Sequence, residues 1–153
     1  WSAWDMGDLP GSVLFCCTLN SVRSPMAEAI MKHLFGHLTF VDSVGVRRGD
    51  VNEFAISVMD EIGIDISDHQ SKIFEELEDT SFDLIVSLTP EAQHSAVELT
   101  RTLSSDVEYW ATMDPSAIPA DRRELILDAY RGVRDTLMQR IRDRFSQGPA
   151  PTT

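Results

Sequence analysis

Apolar and polar positions fall into two alternating rhythms along this chain. Short runs rich in apolar and β-branched residues predict strands, and in the third of them the apolar residues fall on both faces. These are "SVLFCC" (12–17), "LTFVDSVGV" (38–46), "FDLIVSL" (82–88) and the briefer "DVEYW" (106–110). Between them the apolar residues return every three or four positions, which predicts helices. "MAEAIMKHLF" carries Met26, Ile30 and Leu34 at that spacing, and "VNEFAISVMDEIG" reads as a helix ended by Gly63. "SKIFEELED" predicts a short helix, and "PEAQHSAVELTRTL" one with Pro90 in its first turn, where a missing N–H is no loss. The last helix is expected near "ADRRELIL", with Asp121 and Glu124 spaced as a capping box. Ile126, Tyr130, Val133, Leu137, Ile141 and Phe145 then make one apolar stripe.

Strands and helices in alternation predict an α/β fold, with a parallel sheet covered by helices on both faces. Such sheets bind ligands beyond the carboxyl ends of their strands. The stretch "WSAWDMGDLPG" (1–11) has no period and is read as a flexible arm. Residues 12–146 are read as the folded domain, and 147–153 as a flexible tail.

Composition narrows the partners. At 153 residues the chain can build one core without a metal or disulfide staple. A formal net charge of −12 disfavours nucleic acid and anionic membranes. An anion-binding site here must therefore make its attraction locally. No apolar run approaches the roughly 20 residues of a membrane span, and no secretory leader pattern is present. The first residue is Trp rather than Met, which leaves an upstream leader open. Cys16 and Cys17 are the two cysteines, and adjacent residues make a poor structural bridge. Two thiols fit a reducing, cytoplasmic setting.

Both cysteines close the first strand, just ahead of "TLNSVRSP". Residues 17–23 are read as the loop joining that strand to the first helix. Ser24 is expected to cap the helix and Pro25 to occupy its first turn. The free N–H groups at the helix start, with its dipole, suit a tetrahedral anion. The predicted phosphate cradle comprises Thr18, Leu19, Asn20, Ser21, Val22, Arg23 and Ser24. Arg23 adds a planar fork that grips two oxygens at once. Cys17 would lie on the floor, where the same features stabilise a thiolate. Ser24 is placed to donate its hydroxyl to that sulfur. Cys16 belongs to the strand and is expected to point away. The loop is not a Walker loop, because it lacks the glycines and the "GK[ST]".

"VLFCCTLNSVRSPMAEAI" resembles the low-molecular-weight protein tyrosine phosphatases and the arsenate reductases that share their fold. It matches the family's Cys, Asn, Arg-Ser-Pro and Ala-Glu. "DSVG", "SDHQSK", "FDLIVSLTPE" and "WATMDPSA" follow in the family's order, so the resemblance spans about Val13 to Phe145. It implies a three-layer α/β sandwich of flavodoxin-like topology, strand order 2-1-3-4, and a cysteine-dependent phosphatase working without cofactor or metal. It implies Cys17 as nucleophile, Arg23 as anion clamp and Asp114 as general acid and base, with Pro115 stiffening its loop. By itself Asp before Pro is an ordinary turn signal. Asn20, Ser43 and His69 match positions that tie the phosphate loop into shape in relatives. Alone, Ser43 reads as a strand end and His69 as a surface histidine.

Three departures bear on activity. Leu19 replaces a family glycine, and glycine in a tight loop usually serves a positive φ or a close backbone approach. Val22 replaces the second loop cysteine that protects the nucleophile in many relatives. Ser116 and Ala117 stand where the eukaryotic-type enzymes carry two aromatics, and there the chain is similar to the arsenate reductase branch. The further cysteines of thioredoxin-coupled arsenate reductases are missing; Thr89 lies near the place of one. Three functions follow as expectations. The first is a phosphatase acting on a phosphorylated protein or small aryl phosphate, phosphotyrosine foremost. The second is an arsenate reductase with an external thiol partner. The third is a catalytically weak member that binds phosphate or a phosphoprotein.

Overall fold

The computed structural model describes residues 9–117 and 121–145. The predicted tail and most of the predicted arm lie outside those residues. Four parallel strands form one sheet in the order β2-β1-β3-β4. They are β1 (Ser12–Cys17), β2 (Phe40–Gly45), β3 (Leu84–Ser87) and β4 (Asp106–Tyr109). Helices α1 (Arg23–Phe35), α2 (Glu53–Asp60), α3 (Pro90–Leu99) and α4 (Arg123–Phe145) alternate with them. The expected fold class and strand order are those observed.

Each face of β1 feeds a different core. Val13, Phe15 and Cys17 join the large cluster built with α1, α2 and α4. Leu14 and Cys16 join the smaller one, where Ala92 and Ala96 of α3 close over the sheet. Strand side chains alternate between faces, so neighbouring cysteines are obliged to part. Trp110, just past β4, packs edge-on against Phe15 with ring centres 6.0 Å apart. The α4 stripe is buried at Tyr130, Val133, Leu137, Ile141 and Phe145, while Ile126 is half-buried beside it.

The helix limits differ from the pattern in instructive ways. α1 begins three residues before Met26, and Val22 rather than Ser24 precedes it. Ser24 lies within the first turn, so its hydroxyl is free for another task. α2 is shorter than predicted, because Asn52 caps it through bonds from the N–H groups of Phe54 (2.8 Å) and Ala55 (3.1 Å). The chain then turns at Gly63, whose φ of +79° suits a residue without a side chain. α4 begins at Arg123, with the Arg122 carbonyl, rather than a cap at Asp121, receiving the Ile126 N–H. The helix expected over 71–79 shrinks to one 3₁₀ turn, Phe74–Glu76. Its first residues are committed elsewhere: the Lys72 carbonyl accepts from Gly45 N–H at 2.8 Å, and Ile73 bridges in parallel to Gly45. No helix among the described residues is long and apolar enough to cross a membrane.

Candidate active site

The loop after β1 is shaped from outside by bonds to its carbonyls. Val46 N–H reaches Cys17 O (3.1 Å), Arg47 N–H reaches Thr18 O (2.8 Å) and Asn52 N–H reaches Ser21 O (3.0 Å). The Ser71 hydroxyl donates to Leu19 O at 3.2 Å. In a trans peptide the N–H points opposite to the carbonyl. Four outward carbonyls therefore turn the N–H groups of Thr18, Leu19, Asn20 and Val22 inward. One of them is seen at work: Asn20 N–H points to Cys17 Sγ at 3.3 Å. The first turn of α1 adds free N–H groups from the same side. The result is a concave array of donors with sulfur at its base, a site for an oxyanion.

Cys17 is buried, and its Sγ lies 2.9 Å from the Ser24 hydroxyl. The start of α1 at Arg23, which puts Ser24 inside the first turn, thus gives it a place beside the sulfur. Cys16 is wholly buried in the opposite core, and burial, then the neighbouring Cys17, pushes its thiol well up.

Asn20 organises the loop. It is fully buried and takes the left-handed conformation, φ +55°. Its Nδ2 donates to Ser24 Oγ (2.8 Å) and Ser43 Oγ (3.0 Å). Its Oδ1 accepts from His69 Nε2 (2.9 Å) and from Lys72 N–H (3.0 Å). Asn20, Ser43 and His69, named from the sequence, do meet. Burial holds the His69 imidazole below its usual range, against the upward pull of Glu28. Glu28 was missed: its Oε1 accepts from Ser43 Oγ at 2.5 Å and lies 3.8 Å from His69 Nδ1. The Ala27-Glu28 pair of the family match, a carboxylate set beside Ile30 and Met31 on a buried helix face, was the available signal.

Leu19 does not carry a positive φ. The positive φ falls on Asn20, one residue later, where a side-chain amide tolerates it. Leu19 is exposed at the mouth. The glycine that close approach demands is Gly45, where a Cβ would meet Asn20 N and Leu19 C at 2.8 Å.

A cleft of about 270 Å³ opens above the loop, lined there by Cys17, Thr18, Leu19, Ser21 and Val22. Arg23, Asn52, Asp114 and Ser116 complete its walls. Arg23 Nη1 donates to the Thr112 carbonyl at 3.1 Å, and its Nη2 lies 4.0 Å from Asp114 Oδ2. Asn52 and Thr112 were not singled out by motif, since each acts through a position in the fold. Thr18 Oγ1 reaches Thr89 Oγ1, the cap of α3, at 3.2 Å. A second hollow, about 390 Å³ between Val46, Phe74 and Leu99, contains none of these groups.

Known proteins carry the same architecture. The chain is 31% identical to arsenate reductase 1 of Staphylococcus epidermidis over 130 residues, covering 85% of this chain and 97% of that one. It is 33% identical to arsenate reductase 2 of Staphylococcus haemolyticus over 120 residues, covering 78% and 90%. Among solved structures, an arsenate reductase in the oxidized state superposes with TM-score 0.75 at 28% identity, over 90% of this chain and 98% of that one. A low molecular weight protein tyrosine phosphatase from T. tengcongensis gives 0.71 at 27% identity, over 89% and 97%. The family model for low molecular weight phosphotyrosine protein phosphatase matches residues 12–148, from the first residue of β1 to beyond the end of α4. This chain belongs to that family of cysteine-dependent phosphatases.

Proposed function

We propose that the chain hydrolyses phosphomonoesters through a phospho-cysteine intermediate, with phosphotyrosine or a small aryl phosphate as substrate. The inward N–H groups hold the phosphoryl oxygens. The Cys17 thiolate attacks phosphorus, the bond to the ester oxygen breaks, and Asp114 gives that oxygen its proton. Asp114 then takes a proton from the water that cleaves the S–P bond and releases phosphate. Arg23 bears on the charge of the equatorial oxygens in both steps. The observation that carries this reading is the Cys17 sulfur at the base of the donor array, with Arg23 and Asp114 across one cleft. Cys17→Ser should lower turnover of p-nitrophenyl phosphate by about 10³-fold or more. Turnover at the wild-type rate would end the proposal.

A second reading is arsenate reduction. It is favoured by the curated relatives named arsenate reductase and by Ser116-Ala117 after Asp114-Pro115. Cys16 lies in the other core and no third cysteine exists, so the reducing thiol would come from outside. Arsenite formation that needs added glutathione and glutaredoxin, with no hydrolysis of aryl phosphate, would put this reading first.

A further inference from the structure

We propose that Ser116 is a positioning residue for Asp114, fixing which carboxylate oxygen handles the proton. The inference rests on the assignment of Asp114 as acid and base above. Asp114 Oδ1 accepts two bonds from one residue: Ser116 N–H at 2.9 Å and Ser116 Oγ at 2.7 Å. Oδ2 is left 4.0 Å from Arg23 Nη2, and both residues line the cleft above the loop. The loop beneath is stiff. Pro115 is buried, and a 3₁₀ turn over Pro115–Ala117 closes with Ala117 N–H on Asp114 O at 3.1 Å.

An N–H bond alone would let the carboxylate swing about its last side-chain torsion, which is a broad, soft well. The hydroxyl adds a second point of attachment on the same oxygen and stops that rotation. The oxygen that exchanges a proton with the leaving group is then Oδ2, held beside the guanidinium. Ser116 is exposed, so water takes over the hydrogen bonds of its hydroxyl when it is removed. Its effect should therefore register in proton transfer rather than in stability.

The test measures kcat/KM for phenyl, 4-nitrophenyl and 2,4-dinitrophenyl phosphate with the full chain, Ser116→Ala, Ser116→Thr and Asp114→Asn. A poor leaving group needs the proton most. Ser116→Ala should lose about tenfold on phenyl phosphate and about twofold on the dinitrophenyl ester, with the midpoint of thermal unfolding kept. Ser116→Thr, which restores a hydroxyl, should recover most of the loss. Asp114→Asn should show the same trend at about 10²-fold on phenyl phosphate. Equal losses on all three esters with Ser116→Ala, or none, would overturn the role of Ser116 while leaving Asp114 in place. So would a lowered unfolding midpoint that Ser116→Thr fails to restore. An Asp114→Asn variant no more sensitive to the leaving group than wild type would remove the acid itself, and the proposal with it.

Discussion

Replacing Asn20 by alanine removes the four bonds its amide makes: two from Nδ2 to Ser24 and Ser43, two onto Oδ1 from His69 and Lys72. At about 1 kcal/mol net for each hydrogen bond, the amide contributes about 4 kcal/mol. Alanine at φ +55° adds about 1 kcal/mol of backbone strain. Freedom returned to the shorter side chain offsets about 1 kcal/mol of this. The expected loss is about 4 kcal/mol, a large share of a small domain's stability. Asn20→Gly loses the same bonds without the strain, so it should be more stable than Asn20→Ala by about 1 kcal/mol. Urea unfolding followed by tryptophan fluorescence gives both numbers, provided the slope against urea is shared. The same two variants should bind inorganic phosphate more weakly, since the loop N–H groups no longer converge. An Asn20→Ala chain within 1 kcal/mol of wild type would refute the view of Asn20 as the loop's organiser. Equal stability of the alanine and glycine variants would refute the backbone half of the argument.

Four further outcomes are expected. Gly45→Ala forces a methyl against Asn20 N, Leu19 C and Arg47 O, each 2.8 Å away, and should cost about 1–3 kcal/mol in urea with a matching loss of phosphate affinity. Arg23→Lys keeps the charge but not the fork, and should lower kcat/KM for p-nitrophenyl phosphate by about 10²-fold in steady-state assays. Burial holds the His69 imidazole below its ordinary value of about 6.5, so the unfolded chain binds more protons just under that value. Stability should therefore rise with pH through the window just under 6.5, and His69→Gln should flatten that part of a pH series of urea unfolding curves. Hydrogen peroxide should carry Cys17 past sulfenic to sulfinic acid, seen by mass spectrometry as two added oxygens that dithiothreitol does not remove, because Val22 offers no second loop thiol.

The strands and the cradle were legible because their signals are local. β1 shows as an unbroken apolar run, and Cys17, Asn20, Arg23 and Ser24 fall within eight consecutive residues. The partners that hold the cradle were harder to read. Lys72 reaches Asn20 across 52 positions and Thr112 reaches Arg23 across 89, and both act through backbone atoms that any side chain supplies. Ser24 was placed correctly in the chain but misread as a cap, since nothing local says that the helix starts at Arg23. Leu19 drew suspicion because glycine there in relatives suggested strain. In this chain a neighbouring residue takes the unusual dihedral and Gly45 supplies the clearance. "SKIFEELED" has the right composition for a helix, but its first residues are held extended by the strand and loop they pair with.

The parting of Cys16 and Cys17 to opposite sides of β1 makes the molecule its own gauge of integrity. In the native state a thiol-directed reagent small enough to enter the cleft counts one sulfur, and an oxyanion seated in the cradle shields it. In denaturant the same reagent counts two, so a colorimetric titration reports occupancy and unfolding on one sample, without any added label.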